Sequence, residues 1–312
     1  MSLLDAQMQA FVDQSLSFYP ADAVDASVTQ QRLWYNALCQ GFAAPRPAGL
    51  QVSDSHVIGT DGHEVLTRRY STKAEASLVQ IVFMHGGGFV VGCLESHDDI
   101  CAELAQRTGF DLVAVDYRLA PEHQYPDDIN DCLAVVDGLL QAGHQIILVG
   151  DSAGGALSAC VANARKSYTG TQLLGQVLIY PALSRGGETN SMREHAHAPL
   201  LTREDMEYYM LIRVGGDVSK IPQADPLYMP MQTTDFAGLP PTHLFPAEID
   251  PLCDDCELYA QALTQAKVPV VNHLVVSKGM VHCYLRARNM SDKAAANFTE
   301  ICTAITSLGQ TK

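Results

Sequence analysis

The sequence predicts an α/β protein, a mostly parallel central sheet with helices on both faces. Six short, almost continuous apolar runs recur along the chain, at 78–84, 110–117, 145–149, 176–180, 242–247 and 271–276. Such runs suit strands buried on both faces, as parallel strands are. Amphipathic stretches alternate with them: Ile129, Cys132, Leu133, Val136, Leu139 and Leu140 mark one helical face, and Phe298, Ile301, Cys302, Ile305 and Leu308 mark the last. With 312 residues, 47% hydrophobic and 18% charged, the chain is large enough to cover such a sheet within one large domain.

Before the first run, Leu4, Met8, Phe11 and Val12 repeat at helical spacing, and Trp34, Tyr35, Leu38 and Phe42 do so again after Pro20. The stretch AAPRPAG (43–49) breaks that pattern. Strand-like runs follow at 50–58 and 64–71, and Asp61-Gly62 between them signals a hairpin. One later segment departs from the rhythm. Between Leu183 and Gly238 no run suits a buried strand, but residues 201–211 read as a helix, with Thr202 as N-cap and Asp205 as its capping-box partner. An insertion there, rich in Met and Tyr, sits over the carboxyl ends of the strands and joins the N-terminal helices as a lid. The organisation expected is a cap segment at 1–45, core at 46–184, a cap insertion at 185–238 and core again at 239–312. No internal repeat is visible.

Charge excludes whole classes of partner. Thirty-five acids against twenty bases give −15, which opposes binding to nucleic acid or an anionic membrane surface. The opening MSLLDAQMQA has no basic region ahead of an apolar run, and 78–94 is interrupted by Gln80, His85 and three glycines, so neither a secretory signal nor a membrane span is expected. Nine scattered cysteines fit a reducing compartment, and the expectation is a cytoplasmic protein. Cys253 and Cys256 enclose two aspartates with no second pair, and His195 and His197 stand alone, so no metal is expected at either.

The chemistry starts at Gly150-Asp151-Ser152-Ala153-Gly154, between the run QIILV and a helical stretch. A glycine-rich strand-to-helix turn is common in itself. Its flanking strand and helix give it the setting of a nucleophile elbow, with glycines on both sides removing Cβ clashes. Ser152 is the candidate nucleophile, and a serine needs a base with an orienting acid. Eleven histidines compete. His243 and His273 fall inside strand runs, and His56, His63 and His144 in surface-like turns. His282 follows the last run, on a loop at the carboxyl end of the sheet, and is the expected base. Asp250 closes the run THLFPAEID ahead of Pro251 and is the favoured acid; Glu248 remains a rival, and Asp225, Asp235, Asp254 and Asp255 are placed less well. Acyl transfer also needs donors for a developing oxyanion, each worth about 3–4 kcal/mol. His85-Gly86-Gly87-Gly88-Phe89 leaves backbone amides open after a strand, and Ala153 offers one more. No GK[ST] follows, so this is not a Walker phosphate loop. His85 reads as an anchor of that loop.

Together, HGGGF (85–89), DYRLAPEHQYP (116–126), GDSAGG (150–155), AEIDPL (247–252) and GMVHCY (279–284) resemble the bacterial esterases similar to mammalian hormone-sensitive lipase. The resemblance implies an α/β-hydrolase fold with a two-part helical cap, Ser152, Asp250 and His282 as triad, and an oxyanion hole from the amides of Gly87, Gly88 and Ala153. It implies no cofactor and no metal, short-to-medium acyl esters as substrates, and a homodimer as one assembly found among members. The DYRLAPEH segment takes a bracing role in that family. Cys283 stands where the family commonly has glycine; it narrows the site, confers sensitivity to oxidation, or is simply buried.

Phe89, Trp34, Met206, Tyr209 and Met210 are the expected substrate-binding residues; Trp34, Met206, Tyr209 and Met210, with Phe11, Phe18 and Phe42, are equally candidates for the interior of the cap. The function expected is serine carboxylesterase. The alternatives are an amidase, carbamate hydrolase or lactonase using the same triad, and a ligand receptor on a catalytically silent scaffold.

Overall fold

The computed structural model describes residues 4–20, 26–72, 77–184, 187 and 189–310. Strands β1 (Gln51–Ile58) and β2 (Glu64–Ser71) form the antiparallel hairpin that Asp61-Gly62 signals. β2 pairs antiparallel with β4 (Asp111–Asp116), which lies parallel to β3 (Val79–Met84). β5 (Gln145–Asp151), β6 (Leu173–Ile179), β7 (Thr242–Phe245) and β8 (Val270–Asn272) continue in parallel, giving the order β1-β2-β4-β3-β5-β6-β7-β8. After β3 the chain moves to one side for β4 and returns to the other for β5. That reversal opens a crevice beyond the carboxyl ends of β3 and β5, where open α/β sheets bind ligands.

The apolar runs divide their side chains between two cores. On β3, Ile81 and Phe83 face one core, and Val82 and Met84 face the other, as period-two alternation requires. The first core is covered by α3 (Asp98–Thr108), α9 (Asp292–Gln310) and the N-terminal helices α1 (Ala6–Leu16) and α2 (Val28–Phe42). The second is covered by α4 (Asp127–Gln141), α5 (Ala153–Ala164) and α8 (Cys253–Gln265). Asp5 caps α1 and Ser27 caps α2, each accepting an amide of the first turn.

Between β6 and β7 lie a short helix, α6 (Asn190–Glu194), and α7 (Arg203–Arg213). The capping box is present at α7, with Thr202 and Asp205 bonding each other's backbone. The two last apolar runs form shorter strands than their length predicts. β7 stops at Phe245 because Pro246 has no N–H for a ladder, and β8, its neighbour, then loses its partner; His273 makes the final bond to Leu244, at 2.8 Å. Val275 and Val276, read as strand, are exposed in the turns that follow. Among the described residues no helix is long and apolar enough to cross a membrane.

Arg213 closes α7, where a cation usually points to solvent and complements the helix dipole. Here it is 1% exposed. Its Nε donates to Asp128 of α4 at 2.6 Å, Nη1 donates to the Tyr228 carbonyl, and the guanidinium lies 3.7 Å from the centre of the Phe89 ring. One residue thus fastens the insertion to the core. Arg213→Ala leaves Asp128 buried without its counter-ion and is expected to lower the unfolding free energy by about 3–5 kcal/mol in urea titration; a change below 1 kcal/mol contradicts this assignment.

Candidate active site

β5 ends at Asp151, and α5 begins at Ala153. Ser152 joins them at φ +54°, ψ −119°, a conformation that side chains rarely adopt. Its amide donates to Ile179 of β6 at 2.9 Å, and its carbonyl accepts from Ala156 and Ala182. Close approach explains the glycines. A Cβ at Gly154 would meet the carbonyls of Met84 and His85 at the end of β3, and one at Gly150 would meet the Gly154 carbonyl.

Three loops bring side chains to this turn. Ser152 Oγ lies 2.9 Å from His282 Nε2, and His282 Nδ1 lies 2.6 Å from Asp250 Oδ2. A carboxylate only accepts, so Nδ1 carries the ring proton and donates to Asp250, while Nε2 accepts from the serine hydroxyl. Asp250 is fully buried, and its other oxygen accepts from the Leu252 amide at 2.9 Å. The rival Glu248 takes a different position: its carboxylate accepts from the Gly279 amide at 2.7 Å and ties down the loop that carries His282. Backbone pairing of Ile249 with Met280 and Val281, and the Tyr180 ring 4.8 Å from the imidazole, complete that support.

The HGGG segment turns sharply after β3. Gly87, at φ +128°, accepts from the amides of Val90 and Val91, and a Cβ there would strike the Val91 carbonyl. Among the described residues the amides of Gly87, Gly88 and Ala153 have no hydrogen-bond partner, and all three residues line one cavity with Ser152 and His282. They are donors available to a bound oxygen. Asp151 locks this loop to the elbow, accepting the Gly86 amide at 2.8 Å. Burial works against its charge, but His97, Arg286 and that amide outweigh it and hold the carboxyl down at about 2. His85 stacks on Tyr117, whose hydroxyl donates to the His85 carbonyl at 2.7 Å. Burial, with His97 nearby, pushes the His85 imidazole down to about 3, so it stays neutral and serves as an anchor.

The cavity measures about 410 Å³. Phe89, Met206, Tyr209 and Met210 line it, as does Phe11. Trp34 does not; it packs edge-on against Tyr19, and it is its neighbour Tyr35, with Leu38 further along α2, that faces the cavity. One residue along a helix turns the side chain by about 100°. Phe18 and Phe42 pack together in the core beneath. Cys283 lines the cavity at φ +64°, which explains the glycine usual there, and burial pushes its thiol up to about 12.

The remaining candidates are structural. His243 of β7 and His273, just past β8, sit 3.0 Å apart, and the His273 ring lies 4.0 Å from that of Phe245. Asp225 accepts from Tyr125, Asp235 pairs with Lys166, Asp254 accepts the Ser191 amide, and Asp255 holds Leu183 and Ser184. Cys253 and Cys256 are free positions of α8. No group of metal-ligating side chains occurs among the described residues. Sequence reading missed Asp151, His97 and Arg286, a buried cluster beneath the elbow in which His97 Nε2 lies 3.3 Å from Asp151 and 3.1 Å from Arg286. The only local signal is a carboxylate inside GDSAGG at Asp151, with His97 and Arg286 lying beyond HGGGF and GMVHCY.

A serine on a strand–turn–helix at the centre of such a sheet, followed along the chain by Asp250 and then His282, defines an α/β hydrolase. A family model described as alpha/beta hydrolase fold matches residues 81–286, and the chain belongs to that family, in its hormone-sensitive-lipase-like branch. Carboxylic ester hydrolase LipN of Mycobacterium tuberculosis is 30% identical, across 97% of this chain and 82% of the relative. Ethyl acetate hydrolase of Pseudomonas putida is also 30% identical, across 81% and 82%. The hyperthermophilic esterase of Pyrobaculum calidifontis superposes with a TM-score of 0.86 at 29% identity, covering 98% of this chain and 99% of that one.

The tight contact at the elbow is testable. Gly154→Ala drives a methyl group into two backbone carbonyls that cannot swing aside, and is expected to cost about 3 kcal/mol, the upper end for overpacking, by urea unfolding. A wild-type unfolding midpoint would contradict the close approach.

Proposed function

We propose that the chain is a serine carboxylesterase acting on short-to-medium acyl esters through an acyl-enzyme. The observation that carries this is the relay from Ser152 through His282 to Asp250, facing three unpartnered amides across one cavity. Ser152 Oγ attacks the ester carbonyl as Nε2 of His282 takes its proton, and buried Asp250 stabilises the imidazolium. The carbonyl oxygen becomes an oxyanion held by the amides of Gly87, Gly88 and Ala153, the last also at the positive end of α5. His282 returns the proton to the leaving alcohol, then activates water to release the acid.

The same reading divides the chain into cap segments 1–45 and 185–238 over core segments 46–184 and 239–312. Helices α1, α2 and α7 all contribute cavity walls, which supports it. The lining is mostly apolar, with Phe11, Leu38, Phe89, Met206 and Met210. Nine free thiols suit a cytoplasmic location. Amide, carbamate or lactone hydrolysis uses the same groups, and no feature of the site favours them.

Hydrolysis of p-nitrophenyl esters tests this. The wild type is expected to be active, with a maximum near butyrate or hexanoate, and Ser152→Ala to lose about 10⁴-fold or more while remaining folded. Activity surviving that substitution would refute the nucleophile assignment. Equal rates on palmitate would refute the chain-length limit.

A further inference from the structure

We propose that Arg32, on α2, is a positioning residue for the oxyanion loop, so that the N-terminal helices govern the chemical step as well as the shape of the cavity. The proposal rests on the esterase reading above.

Arg32 reaches out of α2 and spans two segments of the core. Its Nε donates to the Val90 carbonyl at 2.8 Å, and Nη2 donates to the Ala120 carbonyl at 2.8 Å. Nη1 and Nη2 also bond Glu122, at 2.9 and 2.7 Å. Glu122 is 52% exposed, so this ion pair adds little stability by itself. Its effect is geometric: a two-pronged contact fixes the guanidinium plane and leaves the other edge facing the carbonyls.

The Val90 carbonyl belongs to the turn that presents the Gly87 and Gly88 amides, and Ala120 to the segment after β4 that runs beside it. Val90 donates to Gly87 from within the turn, while Arg32 holds Val90 from outside. Ala120 donates to the Phe89 carbonyl at 2.9 Å, so Arg32 bridges two strands of chain that are already stitched together one residue away. Across the loop, the Tyr209 ring of α7 presses on Gly88, leaving no room for a Cβ. Val90, Val91 and Ala120 form a small apolar cluster against Val28 and Tyr35 of α2 and Tyr209 and Ile212 of α7. Gln31 donates to Tyr208 at 3.2 Å and links the two helices. The loop is thus gripped from both sides, and Arg32 supplies the directional contacts on one of them. An oxyanion donor acts only at the position where charge develops, and a shift near 1 Å costs about 100-fold.

The test compares Arg32→Gln, Arg32→Lys and Glu122→Gln with the wild type on p-nitrophenyl butyrate, together with inhibition by an alkyl trifluoromethyl ketone, whose serine adduct places an oxyanion in the hole. Arg32→Gln is expected to lower kcat about 10- to 100-fold with KM within about threefold, and to weaken the ketone by the same factor as kcat. Arg32→Lys, which reaches one carbonyl, should fall between. Glu122→Gln keeps one oxygen to accept from the guanidinium and so to orient it, and should stay within about threefold of the wild type. Wild-type kcat in Arg32→Gln, a loss residing wholly in KM, or a loss of kcat with undiminished ketone binding would each overturn the proposal. If Arg32→Gln does not fold, the same criteria apply to Arg32→Lys. A wild type without esterase activity removes the premise and the proposal with it, an outcome distinct from an active wild type with indifferent Arg32 variants.

Discussion

Holding Ser152 at φ +54° costs the chain about 1–3 kcal/mol, and the surrounding structure keeps that turn from relaxing. β5 cannot slide, because it is paired on both sides by buried parallel strands. α5 cannot retreat, because its first turn presses glycine against the end of β3. The Ser152 amide is committed to β6. The turn therefore sits at the switch point of the sheet with its hydroxyl facing the crevice, and the loops after β3, β7 and β8 are drawn to it.

Charge buried beneath that turn does further work in a chain that is acidic overall. Asp151 joins the elbow to the HGGG loop, while Arg286, four residues beyond His282, donates to the Ser96 carbonyl at 2.8 Å and to Tyr35 of α2 at 3.1 Å. His97 lies between the two charges. Each of these contacts joins segments remote in sequence, so elbow, oxyanion loop, histidine loop and N-terminal helix form one buried unit. Together with Arg32 and Arg213 they make the helices outside the sheet part of the same construction as the crevice.

Much of this was legible in the sequence because it depends on local constraints. Buried strands demand apolar runs, the elbow demands glycines around Ser152, and the α7 capping box needs only Thr202 and Asp205. Asp250 and His282 followed from their places at strand ends. Strand length at β7 and β8 was not legible, because it depends on which neighbour Pro246 deprives of a partner. Trp34 and Tyr35 differ by one helical position, and nothing local tells which of them faces a cavity. The buried roles of Arg32, Arg213, Arg286 and Asp151 were hidden for a different reason: a charged residue reads as solvent-facing unless its partner is known, and the partners lie far along the chain.

The central claim is that Ser152 is an activated nucleophile facing an oxyanion hole. Its most direct test is reaction of the folded protein with a p-nitrophenyl alkylphosphonate, which traps the attacking group, followed by peptide mass spectrometry. The account predicts release of one equivalent of p-nitrophenol and a single adduct on Ser152, with labelling strongly slowed in His282→Ala. An adduct on another residue, or Ser152 labelling that is indifferent to His282, would contradict it.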